Sequence, residues 1–514
     1  LRGMVTAPHH LASQAGLDIL KAGGTAVEAA VGVAATLAVV YPHMNSIGGD
    51  SFWMIREGDT VRSVHGCGSA AAKATLDLYE GHASVPWRGP LAANTVAGTV
   101  SAWAQLLTDS ALPLERILDA AIAYAEDGVP VTAGGADLAA AKDAELSPQL
   151  GYGEVFRPGD RPLQQGDILK QPALARTLRH LADDGLSGFY SGPLARDIAA
   201  DLARAGSPVA LEDLQAHRAE TPVALHTQIR GATLFNSAPP TQGFASLLIL
   251  ALYDRLGIAG VDHFDHIHGL VEATKRAFLL RDAHIGDPAY MDFNVQALLD
   301  DGDALGRMAD SVDPYIALPW PHRPAGGDTV WFGVMDAQGR AVSAIQSTYF
   351  EFGSGLVLPE TGITWQNRGA SFRLAEDGWN ALKPGRKPFH TLNPAMAAFD
   401  DGRVMAYGTM GGEGQPQTQG AIFTRYQAGV PLQQAISAPR WLLGKTWGDD
   451  SVTLKLEDRF DPALYDRLRA AGHAVELVAP FTSMMGHAGA LVRHGDGRLE
   501  GATDPRSDGG VCAW

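Results

Sequence analysis

The sequence lacks the features that mark disulfide-stabilised, zinc-binding and membrane-spanning proteins. Its 514 residues include two cysteines, Cys67 and Cys512, which excludes a disulfide framework and a cysteine-based zinc pattern. No apolar run approaches the roughly 20 residues that a membrane-spanning helix needs. The longest run, residues 29–40, predicts a buried helix instead. No His-Glu-x-x-His or comparable ligand cluster occurs in the sequence, so we expect neither a metal nor a cofactor.

Basic residues are also scarce. Lysine and arginine number 40 against 57 aspartates and glutamates, which gives a net charge of −17, and the acidic residues are spread along the chain. Because no basic stripe is available to displace counterions, nucleic acid is excluded as a partner. An anionic substrate would need a cation supplied by the site itself, since the overall field repels it.

What remains is an ordinary globular composition. Hydrophobic residues make up 46% of the chain and the mean hydropathy is −0.04. We expect a protein of the bacterial cytoplasm, because the low cysteine content fits a reducing compartment. A periplasmic location is expected instead if a leader precedes the chain.

The first two-thirds of the chain are rich in predicted helices. The spacing of apolar residues predicts a helix over residues 8–22, and a second, nearly all-apolar helix that Thr25 caps and that ends at Val40. A strand at residues 51–55 is expected after the Gly-rich turn 46–50. Further predicted helices cover residues 100–107, 114–126, Pro172–Asp184, 194–205, Gly243–Leu256 and Phe264–His284.

The pattern changes at residues 313–328, where four prolines and two glycines exclude a helix or a central strand. We expect an extended, mobile segment there. Three β-hairpins are predicted after it, so helices and stacked sheets should share the fold. The hairpins pair residues 329–336 with 341–348, 395–399 with 404–408, and 489–494 with 499–502.

Thr329 stands where this segment meets the first hairpin. If the Asp328–Thr329 bond were cut, Thr329 would become a chain terminus whose hydroxyl is the nucleophile and whose α-amine is the base. An α-amine titrates at about pH 7.7–8.0, so a usable fraction is unprotonated at neutral pH. The same hydroxyl could attack the preceding carbonyl and cut the chain. The local sequence leaves open that Thr329 is an ordinary β-branched strand residue.

Several motifs, in order and nearly from end to end, resemble the γ-glutamyltransferase family. They are residues 4–8 with 22–30, the turn 46–50, residues 327–329 with 334–336, residues 352–355 with 362–363, Gly411-Gly412, and Asp504-Pro505-Arg506. The resemblance implies an N-terminal-nucleophile hydrolase fold, a four-layer αββα sandwich, and a proenzyme that cuts itself. The expected large subunit is residues 1–328, and the small subunit, 329–514, carries the nucleophile. The two subunits would form one catalytic unit, as a heterodimer or a dimer of heterodimers.

The resemblance also implies catalytic roles. Thr329 corresponds to the nucleophile, and Asp328–Thr329 to the bond that is cut. Ser347 corresponds to a hydroxyl residue that hydrogen-bonds the nucleophile. Gly411 and Gly412 correspond to the pair whose N–H groups form the oxyanion hole, where a Cβ would obstruct the oxyanion. Taken alone, Ser347 could be an ordinary strand serine and the glycine pair a flexible turn.

The substrate-binding positions depart from those of γ-glutamyl transferases. An arginine that binds the substrate carboxylate in the family is replaced here by Cys67, for which we expect no reactive role. The other matching positions are occupied by Tyr349, Arg368, Ser371, His390 and Thr391. Because an acidic amine anchor is lost and a guanidinium is gained, Arg368 is expected to bind a substrate carboxylate, unless it forms a structural ion pair. His390 would orient the substrate or be a hydrogen-bonded structural histidine.

This pattern, together with residues 408–417, resembles a divergent branch that contains oxamate amidohydrolases and cephalosporin acylases. It implies hydrolysis of an amide in a small carboxylate-bearing molecule such as oxamate, through a threonine acyl-enzyme. Acyl transfer to an amine stays open. The other interpretations are a γ-glutamyltransferase or glutathione hydrolase, a glutaryl-type cephalosporin acylase, and an uncleaved, non-catalytic binding protein.

Overall fold

Two six-stranded antiparallel sheets form the centre of the fold. The structure, a computed structural model, describes residues 2–320, 328–444 and 451–514. The described strands are β1 (Gly3–Ala7), β2 (Asp50–Glu57), β3 (Thr60–Gly66), β4 (Val129–Pro130), β5 (Ile168–Leu169), β6 (Leu225–Ile229), β7 (Ala232–Asn236), β8 (Asp328–Asp336), β9 (Ala341–Tyr349), β10 (Ala395–Phe399), β11 (Val404–Thr409), β12 (Trp441–Leu443), β13 (Leu454–Glu457), β14 (Val475–Val478), β15 (Ala488–Arg493), β16 (Leu499–Thr503) and β17 (Gly510–Ala513).

The two main sheets combine strands from both ends of the chain. The first has the order β17-β1-β8-β9-β2-β3, and the second has the order β16-β15-β11-β10-β7-β6. A smaller sheet, β12-β13-β14, and the two-stranded β4-β5 pair lie apart from them. The sheets face each other through Trp331 of β8, whose ring occupies the space that a Cβ on Gly408 or Gly489 would need.

Helices cover the outer faces of both sheets. Helices α1 and α2 pack on the first sheet, with α4 and α7 behind α2, while α10 and α14 pack on the second sheet with α11 beside them. This arrangement confirms the predicted αββα sandwich. The described helices are α1 (His10–Lys21), α2 (Ala26–Val40), α3 (Thr99–Leu106), α4 (Leu114–Asp127), α5 (Ala133–Leu146), α6 (Tyr152–Phe156), α7 (Pro172–Asp184), α8 (Pro193–Ala205), α9 (Leu211–Ala216), α10 (Gly243–Leu256), α11 (Phe264–His284), α12 (Val295–Asp300), α13 (Gly302–Asp310), α14 (Gly414–Gln427), α15 (Leu432–Ser437) and α16 (Pro462–Ala470).

The predicted helices and hairpins are confirmed to within a few residues at their ends. Thr25 caps α2 as expected: its hydroxyl accepts the Glu28 N–H, and the Glu28 carboxylate accepts the Thr25 N–H. Residues 313–320 form neither helix nor strand, as predicted, and residues 321–327 lie outside the described residues. Among the described helices, none combines the length and apolar character needed to cross a membrane.

Candidate active site

Thr329 is the second residue of β8, and its side chain is buried between the sheets. The β8–β9 ladder has an irregularity between Asp328 and Val330, which frees Thr329 from regular pairing. The Thr329 hydroxyl donates to Ser347 Oγ, with 3.3 Å between the oxygens. Ser347 Oγ also accepts the Tyr349 N–H at 2.8 Å. The two hydroxyls therefore meet where the sequence predicts a nucleophile and its partner, and their catalytic roles stay predictions.

The backbone N–H groups of Gly411 and Gly412 are oriented by their neighbours. The Met410 carbonyl accepts the Thr409 hydroxyl at 2.6 Å, and the Gly411 carbonyl accepts the Gly414 N–H at 2.8 Å. Since C=O and N–H point in opposite directions in a trans peptide, both glycine N–H groups point away from these partners. Neither has an acceptor in the part of the chain that the structure describes. Such a free pair, next to the N-terminus of α14, is suited to an oxyanion.

The conformation of this turn requires glycine. Gly411 has φ +120° and Gly412 has φ +53°, both in the region that side chains with a Cβ rarely adopt. The turn follows β11, which lies over β8 because Gly408 makes room for Trp331. The contact between Trp331 and Gly408 lies two residues after Thr329 on β8 and three residues before Gly411 on β11. This contact between the two sheets therefore brings the glycine turn toward the nucleophile.

Gln242 joins the turn to the substrate-binding segment, and the sequence did not identify it. Its Nε2 donates to the carbonyls of Thr391 at 2.7 Å and Gly412 at 2.8 Å. Its Oε1 accepts from Arg281, which also pairs with Glu413 at 2.9 Å. The signal available in the sequence is only a polar residue directly before the largely apolar helix α10.

Arg368 is buried, with 2% of its surface exposed, in a 3₁₀ helix that follows β9. Its Cζ lies 3.9 Å from the centroid of the Tyr349 ring. It donates to the Phe389 carbonyl and, at 3.4 Å, to Thr391 Oγ1, whereas its Nε has no partner within the residues that the structure describes. Burial lowers the pKa of Arg368. No carboxylate among the described residues forms an ion pair with it, so the alternative of a structural ion pair is not observed.

Tyr349 connects the guanidinium to the nucleophile. It ends β9, pairs with Asp328, and has φ +83°, a left-handed conformation that costs a tyrosine roughly 1–3 kcal/mol. Its N–H bonds to Ser347 Oγ while its ring lies against Arg368. The strained residue therefore holds the cation close to the two hydroxyls.

His390 and Asp50 face each other inside the same buried region. His390 Nε2 lies 3.5 Å from Asp50 Oδ2, and neither ring nitrogen has a hydrogen-bond partner in the described part of the chain. Asp50 Oδ1 accepts the N–H groups of Gly68 at 3.3 Å and Gly98 at 3.0 Å, and Gln366 Nε2 at 3.2 Å. Burial raises the pKa of Asp50 to about 7 and lowers the pKa of His390 well below its ordinary value. His390 is thus not a hydrogen-bonded structural histidine.

Asp50 is a site residue that the sequence reasoning missed, although it belongs to the Gly-rich turn. It pairs with Ser347 across β2 and β9, which places both side chains on one face of the sheet. Gly49 allows this, because a Cβ there would lie 2.1 Å from the Ser347 carbonyl oxygen.

Two further predicted positions, Ser371 and Cys67, have fewer interactions with the rest of the site. The Ser371 hydroxyl is buried without a partner and makes no hydrogen bond to Arg368 among the described residues. The Cys67 thiol is buried, and burial raises its pKa well above the ordinary value, so it is not a reactive thiolate.

One group of potential metal ligands lies outside this site: His268, Glu272 and His473. The two imidazoles are hydrogen-bonded to each other at 2.9 Å, and Glu272 already pairs with Lys275 at 2.7 Å. His268 also bonds to the Asp313 carbonyl. The group therefore acts as a polar network that fastens the segment after α13.

Comparison with known proteins agrees with this arrangement. A family model described as Gamma-glutamyltranspeptidase matches residues 12–514. The chain is 56% identical to the oxamate amidohydrolase proenzyme of Klebsiella pneumoniae, covering 100% of this chain and 98% of that protein. It is 30% identical to the glutathione hydrolase proenzyme of Escherichia coli, covering 98% and 90%. The crystal structure of cephalosporin acylase from Bacillus halodurans superposes with a TM-score of 0.92 at 32% identity, covering 100% and 96%. The chain is therefore a hydrolytic enzyme that belongs to the gamma-glutamyltranspeptidase family.

Proposed function

We propose that this enzyme is an autoprocessed amidohydrolase whose substrate is a small carboxylate-bearing amide of the oxamate type. The observation that carries the proposal is Arg368, a buried guanidinium near the nucleophile without a carboxylate partner among the described residues. An uncompensated buried charge costs several kcal/mol, and a substrate carboxylate would remove that cost. The similarity to an oxamate amidohydrolase proenzyme along the whole chain supports the same substrate.

Processing would produce fragments 1–328 and 329–514. The Thr329 hydroxyl attacks the carbonyl carbon of Asp328, the peptide C–N bond breaks, and an ester forms as the Thr329 amine is released. Water then hydrolyses the ester. Ser347, which hydrogen-bonds the attacking hydroxyl, is placed to orient it.

The two fragments would stay together without a disulfide. In the first sheet, β8 of the small fragment pairs with β1 of the large one, and β9 pairs with β2. In the second sheet, β10 pairs with β7. Because both fragments contribute paired strands to each main sheet, separation would break backbone ladders and expose both cores.

Turnover would then use the new terminus. The α-amine takes the proton of the Thr329 hydroxyl, which attacks the amide carbonyl, and the N–H groups of Gly411 and Gly412 bind the oxyanion. The amine returns the proton to the leaving nitrogen, and ammonia departs from a primary amide. Water, activated by the same amine, hydrolyses the acyl-enzyme. Arg368 would hold the substrate carboxylate throughout.

One observation favours a second candidate, a γ-glutamyl substrate. Asp50 places a buried carboxylate near Arg368, and an ammonium group could pair with it. The test is ammonia release from oxamate by the mature enzyme, compared with the cleavage of a γ-glutamyl anilide, with the Thr329→Ala variant as a blank. We expect oxamate to be hydrolysed. Turnover of the anilide without turnover of oxamate would contradict the proposal.

A further inference from the structure

We propose that Asp50 restricts the ligand bound at Arg368 to a single negative charge, so that the site accepts a monoanion and releases a dianion. The inference rests on the proposed function. Hydrolysis of a neutral amide beside a carboxylate turns a monoanionic substrate into a dianionic product, so an enzyme of this kind must discriminate between two ligands of nearly the same shape.

Asp50 and Arg368 share one buried region. Asp50 Oδ1 accepts from Nε2 of Gln366 at 3.2 Å, and Gln366 is two residues before Arg368 in the chain. On the other side, Asp50 Oδ2 lies 3.5 Å from His390 Nε2. The next residue, Thr391, accepts from Arg368 at 3.4 Å. The carboxylate and the guanidinium are therefore held by the same two segments without pairing directly.

The polar atoms between them are unsatisfied. Asp50 Oδ2, both ring nitrogens of His390 and the Nε of Arg368 are buried and have no hydrogen-bond partner among residues 2–320, 328–444 and 451–514. Native proteins rarely leave such atoms without a partner unless a ligand or water occupies the space. The Asp50 carboxylate oxygen, the neutral imidazole of His390 and the guanidinium of Arg368 therefore point to a ligand that meets all three.

The charges define which ligand fits. With Asp50 ionised, the site carries one positive and one negative group, and a bound anion is repelled by the carboxylate. With Asp50 protonated, the site carries one positive charge and matches a monoanion. In both states the two charges of a dianion exceed the single positive charge of Arg368, the group that would hold the ligand carboxylate.

Two groups of the mature site change charge near neutral pH, Asp50 and the α-amine of Thr329. Lys387, which acts electrostatically on the neighbouring His390 and Cys67, has a raised pKa and stays cationic. Arg368, His390, Cys67 and Tyr190 interact with it electrostatically or lie in contact. Burial keeps His390 and Tyr190 neutral, since it lowers the pKa of the former and raises that of the latter, and it raises the pKa of Cys67. Burial also raises the pKa of Asp50 to about 7, so the proton that a bound monoanion requires is available at neutral pH.

Isothermal titration of the mature enzyme tests the proposal with three small probes of one shape. Pyruvate is a monoanion, oxalate is a dianion, and alanine is a zwitterion. In the wild type, pyruvate should bind most tightly, and between pH 6 and pH 8 its affinity should fall about 10-fold more than that of the Asp50→Asn variant, in which the α-amine of Thr329 still titrates. Asp50→Asn keeps an acceptor oxygen for the N–H groups of Gly68 and Gly98. It should bind oxalate roughly 10- to 100-fold more tightly than the wild type does, and its pyruvate affinity should keep just the pH dependence that the α-amine of Thr329 contributes.

The matched control is Asp201→Asn, the same change at a buried aspartate that accepts the Glu360 N–H outside this site. It should leave all three affinities unchanged. If the wild type binds pyruvate but Asp50→Asn alters neither its pH dependence nor the preference over oxalate, the role of Asp50 is wrong while the proposed function stands. Tightest binding of alanine would make Asp50 an ammonium anchor and overturn the proposal.

Two further outcomes distinguish a failure of the role of Asp50 from a failure of the proposed function. If the Asn variant fails to fold, the wild type alone still decides, because a pyruvate affinity that is constant between pH 6 and pH 8 would contradict the role of Asp50. If the wild type neither binds pyruvate nor hydrolyses oxamate, the proposed function fails, and the inference about Asp50 fails with it.

Discussion

Replacing Arg368 with methionine should separate the stability of this protein from its activity. The change removes a buried charge without a carboxylate partner among the described residues, which recovers several kcal/mol of desolvation. It also removes hydrogen bonds to the Phe389 carbonyl and Thr391 Oγ1, each worth about 1.5–3 kcal/mol when the donor is charged. The contact with the Tyr349 ring adds roughly 0.5–2 kcal/mol. Because these contributions oppose each other, the free energy of unfolding should change by less than about 2 kcal/mol.

Activity should fall much further. A charge-assisted contact with a substrate carboxylate is worth about 1.5–3 kcal/mol, so kcat/KM for oxamate should drop about 10- to 150-fold. Arg368→Lys should recover only part of the loss, since a point charge cannot form a planar fork. A neutral amide of similar size is the matched substrate and should lose much less.

The stability control is Arg506→Met. Arg506 pairs with Glu457 and Asp504, and all three side chains are fully buried, so its removal breaks two buried ion pairs and leaves Arg459 with Glu457 and Arg440 with Asp504. We expect a loss of about 3–5 kcal/mol in chemical denaturation. If Arg368→Met is as destabilising as Arg506→Met, or if oxamate and the neutral amide lose activity equally, Arg368 holds structure and does not recognise charge.

Three further changes test the positioning of the site. Gln242→Leu removes the side-chain donor that bonds to the carbonyls of Thr391 and Gly412. Steady-state kinetics should therefore show kcat reduced about 10- to 100-fold, with a smaller change in KM. An unchanged kcat would exclude Gln242 as a positioning residue. Gly411→Ala should fold, because the added Cβ meets no atom closer than 3.4 Å. An alanine does not readily keep the φ of +120°, so the turn should shift and kcat should fall. Unaltered turnover would argue against the oxyanion role of this turn. Ser347→Ala removes the acceptor of the Tyr349 N–H and the hydrogen bond from the Thr329 hydroxyl. The second bond is worth about 1 kcal/mol for orienting the nucleophile, so electrophoresis over time should show processing slowed about 5-fold, and processing at the normal rate would contradict the role of that hydroxyl.

Local chemistry made much of the fold predictable. The helix that Thr25 caps and the hairpins after residue 328 depend on apolar spacing and turn residues that lie close together in the sequence. The resemblance to a family supplied the positions of Thr329, Ser347 and the glycine pair. The structure shows that the two hydroxyls are in contact, which no local pattern could establish.

The rest of the site depends on contacts between distant segments. Asp50 reaches His390 across 340 positions of sequence, and Gln242 bonds to Thr391 and Gly412, so neither role has a local signature. The absence of a carboxylate partner for Arg368 within the described residues is likewise a property of the packed interior. The sequence indicated that the acidic amine anchor of the family is lost at its usual position, and the structure places another carboxylate, that of Asp50, in the same buried region.

Intact-mass spectrometry tests the central claim, that Thr329 becomes a catalytic chain terminus, most directly. The purified wild-type protein should consist of two fragments that meet at the Asp328–Thr329 bond, and Thr329→Ala should remain a single chain without amidase activity, because one hydroxyl serves both reactions. A single 54.3 kDa species that still hydrolyses amides, or a Thr329→Ala variant cut at the same bond, would contradict the account.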